Sequence, residues 1–182
     1  MMTETGTVPG PEQVADRMAI TDVIYTHCRG VDRASEEILK STYWPDAEVD
    51  YGGYKGPAHP FCESLPGAIR RYSNTQHQVS NMMIELAGNR AVVETYVTAH
   101  HYLAVEGGLD TEMTYIGRYL DDMEKRDGVW KIRFRKIVMT WHQNALATAD
   151  EVSNPSLTLI ARASRHPDDP LFEFLDTLER AP

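Results

Sequence analysis

The sequence has few cysteines and no long hydrophobic run. Only Cys28 and Cys62 are cysteines among its 182 residues, and neither lies in a CxxC or Cys/His pattern. This argues against a cysteine-based metal site and against the disulfide framework of small secreted proteins, so a reducing cytoplasm is expected. No run approaches roughly 18 apolar residues and the N-terminus has no apolar signal-peptide core, so neither membrane spanning nor export is predicted.

Positive charge is also scarce. The chain has 18 Lys and Arg against 27 Asp and Glu, which gives a formal net charge of −9. Nucleic acids and anionic membranes select for clustered Lys and Arg, and the largest basic cluster here is Arg133, Arg135 and Lys136. We therefore expect neither partner. With 42% hydrophobic residues the composition is that of an ordinary globular protein, long enough for one domain with a full core.

Motifs of nucleotide binding and of serine catalysis are missing. No glycine-rich phosphate loop is present, and no serine lies in a GxSxG turn. The sequence therefore predicts no nucleotide, metal or other cofactor.

Hydrophobic periodicity predicts helices first and strands afterwards. A helical period runs from Glu12 to Val31, and two shorter helical stretches follow before Tyr72. After Asn74, four long β-rich segments are joined by the turns Ala87-Gly88-Asn89, Glu106-Gly107-Gly108 and Asp127-Gly128. This order is typical of an α+β fold in which a curved antiparallel sheet wraps around N-terminal helices. We expect a disordered N-terminus at 1–11, one domain at 12–150, and a C-terminal extension at 151–182 with a short helix.

Asp32 stands at the edge of the apolar stripe of the first helix. Helical spacing places it on one face with Tyr25 and Cys28. Such a carboxylate either reaches water, where Arg29 or Arg33 could pair with it, or lies in a cavity where it takes part in chemistry.

His77 opens the first long strand, and its parity matches Val79, Asn81 and Met83. A lone histidine on a strand is more often structural than catalytic. A carboxylate that accepts a hydrogen bond from one imidazole nitrogen, however, makes the other nitrogen a positioned base. An Asp32–His77 pair without a metal, nucleotide or nucleophile motif indicates proton transfer at carbon.

Further polar candidates lie on the other strands. His100 and His101 point to opposite faces of the sheet, so at most one of them lines a cavity. Arg135 or Lys136 could face inward to stabilise a leaving group or an oxyanion. Six tyrosines are candidate donors: Tyr51, Tyr54, Tyr96, Tyr102, Tyr115 and Tyr119.

Four segments carry a resemblance to a known family: AITDVIYTHCRGVDR, YWPDAEVDYGGYKG, TQHQVSNMMIEL and EKRDGVWKI. Together they resemble the SnoaL-like branch of the nuclear transport factor 2-like cone fold, closest to the group of scytalone dehydratase, hexachlorocyclohexane dehydrochlorinase and bile-acid 7α-dehydratase. The resemblance implies a cone-shaped α+β barrel over about Glu12 to Gln143, and it leaves both tails uncovered.

The resemblance also implies roles for individual residues. Asp32 and His77 match the pair in which the histidine removes a proton from the substrate. His27 stands where the group carries a Lys or Tyr that handles the leaving group, so the substrate is not expected to be a copy. Tyr51 matches a pocket tyrosine, and Arg135 is chosen over Lys136 as the basic residue of the last strand. The expected substrate-binding residues are Tyr25, Cys28, Tyr54, His101 and Tyr115.

The resulting prediction is a cofactor-independent lyase, such as a dehydratase, acting on a mostly apolar cyclic small molecule. Two alternatives stay open: a polyketide cyclase or ketosteroid-type isomerase, and a non-catalytic binding or assembly subunit like the β subunit of ring-hydroxylating dioxygenases. A homo-oligomer is expected, either a trimer or a dimer, because cone-fold relatives pack their outer sheet faces together. The tail could reach a neighbouring subunit through Leu171, Phe172 and Leu175.

Overall fold

A computed structural model describes residues 6–104, 110–147 and 159–179 of the chain. The predicted disorder at 1–5, the predicted turn Glu106-Gly107-Gly108 and the start of the predicted extension at 151–158 lie outside the described residues. None of the helices in the described ranges is long and apolar enough to cross a membrane.

In the part of the chain that the structure describes, three helices precede the long strands and one follows them. They are α1 (Pro11–Asp32), α2 (Glu36–Ser41), α3 (Ala58–Ile69) and α4 (Pro170–Glu179). Proline at the first position of α1 costs no hydrogen bond, because that backbone position has no partner inside the helix. The Ser35 side chain caps α2 by accepting a hydrogen bond from Ile38 N at 3.3 Å. Gly30 lets α2 approach α1 closely, since a Cβ there would lie 3.0 Å from Leu39.

Six strands form one curved, unclosed sheet. They are β1 (Tyr43–Asp50), β2 (Lys55–Pro57), β3 (Asn74–Ala87), β4 (Arg90–Leu103), β5 (Asp110–Arg126) and β6 (Val129–Ala147), in the order β2-β1-β6-β5-β4-β3. The predicted α+β class and the antiparallel meander of the four long strands are confirmed. The sheet differs from a purely antiparallel one because β1 pairs in parallel with β6.

Among the register shifts of the sheet, two β-bulges change which side chains face the helices near the candidate residues. In β3 the extra residue is Asn81, which has a positive φ of 41°. It shifts the parity, so Met82 turns inward and Met83 is 42% exposed, the reverse of what strict alternation predicts. In β6 the extra residue is Arg133, which lets both Ile132 and Arg135 face inward.

The buried apolar residues form two clusters. The larger one packs α1, α2 and α3 against β1 and against the sheet around the β3–β4 and β5–β6 turns, and it includes Ile24, Leu39, Val93 and Ile132. The smaller cluster, called here the second cluster, consists of Cys28, Val97 and Tyr119 with Val79, Tyr115 and Ile137 packed against it. Since Val79 follows His77 on the same face of β3, the second cluster lies next to His77.

Candidate functional site

The end of α1 and the start of β3 bring Asp32 and His77 together. Oδ1 of Asp32 lies 2.7 Å from Nδ1 of the His77 ring, and Oδ2 accepts a hydrogen bond from His77 N at 2.9 Å. Both oxygens of the carboxylate therefore hold the same residue, one through its ring and one through its backbone. The two side chains are nearly buried, with 13% of Asp32 and 8% of His77 exposed.

This geometry decides which ring nitrogen of His77 is free to react. An ionised carboxylate can only accept hydrogen bonds, so Nδ1 of a neutral His77 must carry the proton. Nε2 is then the nitrogen with the lone pair. Among the described residues it has no hydrogen-bond partner, so a substrate could meet it directly.

Of the two histidines in β4, His101 lies beside His77. The ring centroids of His77 and His101 are 5.4 Å apart, edge to face. The ring of Tyr72 also contacts that of His101, with a centroid distance of 4.9 Å. Burial, aided by the nearby His77, lowers the pKa of His101 to about 4, so it is neutral at neutral pH. Its Nδ1 is buried without a partner in the described residues. His100 faces outward and pairs with Glu112 at 2.5 Å.

The second cluster supplies apolar surface next to this pair. Cys28 is 6% exposed, and burial raises the pKa of its thiol to about 12, so it contributes packing and not a thiolate. The hydroxyl of Tyr115 donates to Val138 O at 3.0 Å. Tyr115 can lie over the sheet only because residue 117 is glycine: a Cβ there would come within 2.3 Å of the hydroxyl.

A buried polar layer borders the second cluster at Tyr119, and it contains an ion pair. Nε and Nη2 of Arg135 donate to the two carboxylate oxygens of Asp121 at 2.6 and 2.8 Å, and both side chains are completely buried. The guanidinium also lies 4.2 Å from the centre of the Tyr119 ring. Burial disfavours the charge, but Asp121, with smaller contributions from Tyr43 and Tyr51, acts against burial, and the pKa of Arg135 is raised. Nη1 has no partner in the described residues, so its two N–H donors are left over.

His27 belongs to the same buried layer. Its ring makes edge-to-face contacts with Tyr43 and Tyr119 at 5.6 and 5.9 Å, and its Nε2 lies 3.4 Å from the hydroxyl of Tyr51. Burial, with the charge of Arg135 nearby, lowers the pKa of His27 well below its usual value. Burial also raises the pKa of the Tyr51 phenol. Both groups are therefore neutral at neutral pH, one imidazole and one phenol.

Two expected substrate-binding tyrosines have other surroundings. The Tyr54 hydroxyl donates a hydrogen bond to Pro57 O at 2.9 Å, and the Tyr54 ring packs on Phe61. The hydroxyl is therefore already hydrogen-bonded to the backbone three residues away. Tyr25 is 54% exposed, although helical spacing places it on the face of Asp32. A ligand could meet Tyr25 only at the outer rim of the site.

Two clefts in the described structure, of about 270 and 310 Å³, lie elsewhere. The first runs along α1 and includes Met18 and Asp22; the second includes Ser35, Glu63 and His166; neither is lined by Asp32 or His77. A ligand cavity next to His77 therefore stays a prediction. Among the described residues, no group of three or more His, Cys, Asp or Glu could hold a metal ion.

Sequence reasoning missed the partners of the candidate residues. Asp121 alternates with Tyr119 and Met123 on the inner side of β5, a pattern that could have marked it as an inward carboxylate. Arg165, which lies against the end of α1, stands in an extension without a helical or strand period, and no signal in the sequence pointed to it.

Comparison with known proteins places these residues in a known family. The SnoaL-like domain family matches residues 12–136. Hexachlorocyclohexane dehydrochlorinase 1 from Sphingobium indicum is 30% identical over 124 residues, which cover 66% of this chain and 79% of the relative. The terrestric acid biosynthesis cluster protein E of Penicillium crustosum is 28% identical over 136 residues, 71% of this chain and 86% of the relative.

Solved structures agree with this assignment. A type 2 hexachlorocyclohexane dehydrochlorinase superposes with a TM-score of 0.67 at 26% identity, covering 75% of this chain and 93% of the other. A scytalone dehydratase-like protein from Novosphingobium aromaticivorans shares the fold, with a TM-score of 0.65 at 24% identity and with 75% and 92% of the two chains covered. The relatives include lyase-type enzymes. The chain belongs to the SnoaL-like domain family, within the nuclear transport factor 2-like superfamily.

Proposed function

We propose that this protein is a cofactor-independent lyase in which His77 is the general base and Asp32 orients it. The observation that carries the proposal is the double hold of Asp32 on His77, through ring and backbone, which leaves Nε2 without a partner among the described residues. A base held in this way needs no reorganisation when it takes a proton, and the carboxylate stabilises the imidazolium that forms.

The reaction would be a β-elimination. Nε2 of His77 takes a proton from carbon, the electron pair of that C–H bond forms the new double bond, and the leaving group departs from the neighbouring carbon with its own electron pair. A halide leaves as the anion, and a hydroxyl leaves as water after it accepts a proton. Tyr51 is the candidate donor for that proton. His27, a neutral imidazole whose Nε2 lies 3.4 Å from the Tyr51 hydroxyl, is the candidate that positions it, and the unpartnered Nη1 of Arg135 is the candidate that stabilises negative charge.

The expected substrate is a mostly apolar cyclic molecule. The surface next to His77 is the second cluster, formed by aliphatic, aromatic and thiol side chains. His101, neutral and with one unpartnered nitrogen, is the candidate for a single polar contact. Few polar groups on apolar walls are typical of small-molecule sites.

Product mass tests the proposal. Purified protein is incubated with hexachlorocyclohexane and with a set of cyclic β-hydroxy ketones, and products are identified by mass spectrometry. We expect a product lighter by one molecule of HCl or of water. A product of unchanged mass would instead support the cyclase or isomerase alternative, which can use the same base without a leaving group.

Substituting the pair tests the mechanism. His77→Ala and Asp32→Asn should fold normally by circular dichroism and lower turnover by roughly a hundredfold or more, the usual contribution of a positioned base. His100→Ala is the matched control, because His100 is a histidine of the neighbouring strand that pairs with Glu112 on the outer face. Full activity in His77→Ala would mean that another group is the base.

A further inference from the structure

The segment before α4 folds back onto the end of α1. This anchor segment, residues 164–169, is held by a hydrogen bond from His166 N to Arg33 O at 2.8 Å. Asp169 accepts a hydrogen bond from Ser164 N at 2.9 Å and pairs with Arg33 Nε at 3.1 Å. These contacts place the anchor segment next to Asp32, although more than a hundred residues separate the segment from Asp32 in the sequence.

Arg165 is the residue of the anchor segment that reaches the site. Its Nη1 donates to Asp32 O at 2.5 Å and to Thr75 Oγ1 at 2.9 Å, while Nη2 donates to Tyr72 O at 3.0 Å. Asp32 is the last residue of α1, where carbonyls lack partners inside the helix. Thr75 precedes His77 by two residues on the same face of β3. One planar guanidinium therefore joins the backbone of one member of the pair to the strand that carries the other.

Charge reinforces these contacts. A cation at the C-terminal end of a helix is favoured by the helix dipole, and here it also lies near the Asp32 carboxylate. Burial lowers the pKa of Arg165, and the negative charge of Asp32 acts against this shift. Arg33 and Arg70 add repulsion. Repulsion from the two other cations disfavours a guanidinium at this position. The three hydrogen bonds that Arg165 makes across the α1–β3 junction offset this repulsion.

We propose that Arg165 is a positioning residue that fixes the distance between Asp32 and His77 from outside the family's matched region. This inference rests on the proposed role of the pair, and it assigns to the C-terminal extension a part in the site. Without Arg165, α1 and the start of β3 lose a common anchor, and the 2.7 Å hydrogen bond between the side chains is no longer fixed.

The proton on Nδ1 of His77 gives a readout that needs no substrate. In the wild type, the Nδ1–H of His77 is hydrogen-bonded and largely excluded from solvent. It should therefore give a downfield proton resonance that exchanges slowly with water, and this resonance is assigned by its absence in His77→Ala. Arg165→Gln, which keeps a polar side chain but removes the charge and the three-way bridge, should lose this resonance to solvent exchange. Arg165→Lys should recover it in part, because an ammonium can reach only some of the three acceptors.

Asp169→Asn is the control for simple docking of the tail. It weakens the other anchor, at Arg33, so it should lower the melting temperature and keep the resonance. An unchanged resonance in Arg165→Gln would overturn the proposal, and so would its loss in Asp169→Asn, since the whole segment and not Arg165 would then be responsible. If Arg165→Gln does not fold, a wild-type exchange rate in Arg165→Lys would overturn it. Because no turnover is measured, failure here is distinct from failure of the lyase proposal.

Discussion

At the scale of the residue, the candidate site combines the proposed base, which is held by a carboxylate, with groups kept neutral by burial. Burial lowers the pKa values of His27 and His101 and raises that of Tyr51, mainly because burial disfavours charge. All three groups are therefore uncharged at neutral pH. The exception is Arg135, whose charge is kept by Asp121 inside the fold. A neutral, mostly apolar surround keeps a base from being paired by other ions. The arrangement suits proton removal from a weakly polar substrate.

Sequence patterns and the resemblance could predict that Asp32 and His77 lie together, but not the bulge that turns Arg135 inward or the contact of Arg165. The helical face of Asp32 and the strand start at His77 follow from spacing, and a family resemblance linked the two. The inward position of Arg135 depends on the bulge at Arg133, and strict alternation after Ile132 would have turned Phe134 inward instead. Bulges respond to sheet curvature, which periodicity does not record. The contact of Arg165 with Asp32 joins distant parts of the chain and leaves no local pattern at all.

At the scale of the element, α1 contains Asp32 and is fixed to the sheet near both of its ends. Its C-terminal end is held by His77 and Arg165. Its N-terminal half is fixed by Asp16, whose carboxylate accepts hydrogen bonds from Lys125 Nζ and Trp130 Nε1, each at 2.8 Å. These two residues flank the β5–β6 turn, so α1 is held at the β5–β6 turn and at the start of β3.

Removing the Asp16 carboxylate should loosen this helix. Asp16→Ala leaves Lys125 and Trp130 without their acceptor and should lower the free energy of unfolding by about 1–3 kcal/mol, measured by urea unfolding at neutral pH. The control is Glu12→Ala, because Glu12 is 89% exposed and lies 4.0 Å from the same Lys125. It should have little effect. Equal losses in the two variants would contradict the account.

The same carboxylate gives the effect a pH dependence. Hydrogen bonds from Lys125 and Trp130 lower the pKa of Asp16 in the folded state. Its stabilisation is therefore fully present above the unfolded pKa of about 3.9 and is lost as the pH falls through the lower folded value. The gap between wild type and Asp16→Ala should narrow below about pH 4.

At the scale of the whole molecule, the outer face of the sheet carries both charge and apolar surface. Ion pairs such as Arg118–Glu94 and Arg90–Asp122 cross it. Between them lie exposed apolar side chains whose strand parity directs them outward: Met83, Val92, Tyr96 and Trp141, exposed by 42, 60, 42 and 52%. Of the tail residues expected to reach a neighbour, Phe172 packs on His166 of its own chain. The outer face is thus the better candidate for an interface.

A homo-oligomer through this face stays a prediction that light scattering can test. We expect a mass two or three times 20.6 kDa at micromolar concentration. Tyr96→Glu and Trp141→Glu should shift it towards the monomer, because a charge there opposes burial of the outer face. Met139→Glu is the control, since Met139 is 58% exposed but pairs with Gly117 on the inner side. A monomeric wild type would contradict the expectation.

The most direct test of the central claim is the tautomer of His77, read from the ring ¹⁵N chemical shifts of the resting protein. The account predicts that neutral His77 carries its proton on Nδ1, facing Asp32, and that Nε2 is unprotonated and able to accept a proton from carbon. In Asp32→Asn this preference should be lost. A wild-type His77 with its proton on Nε2 would contradict the account, because that nitrogen could not then be the base.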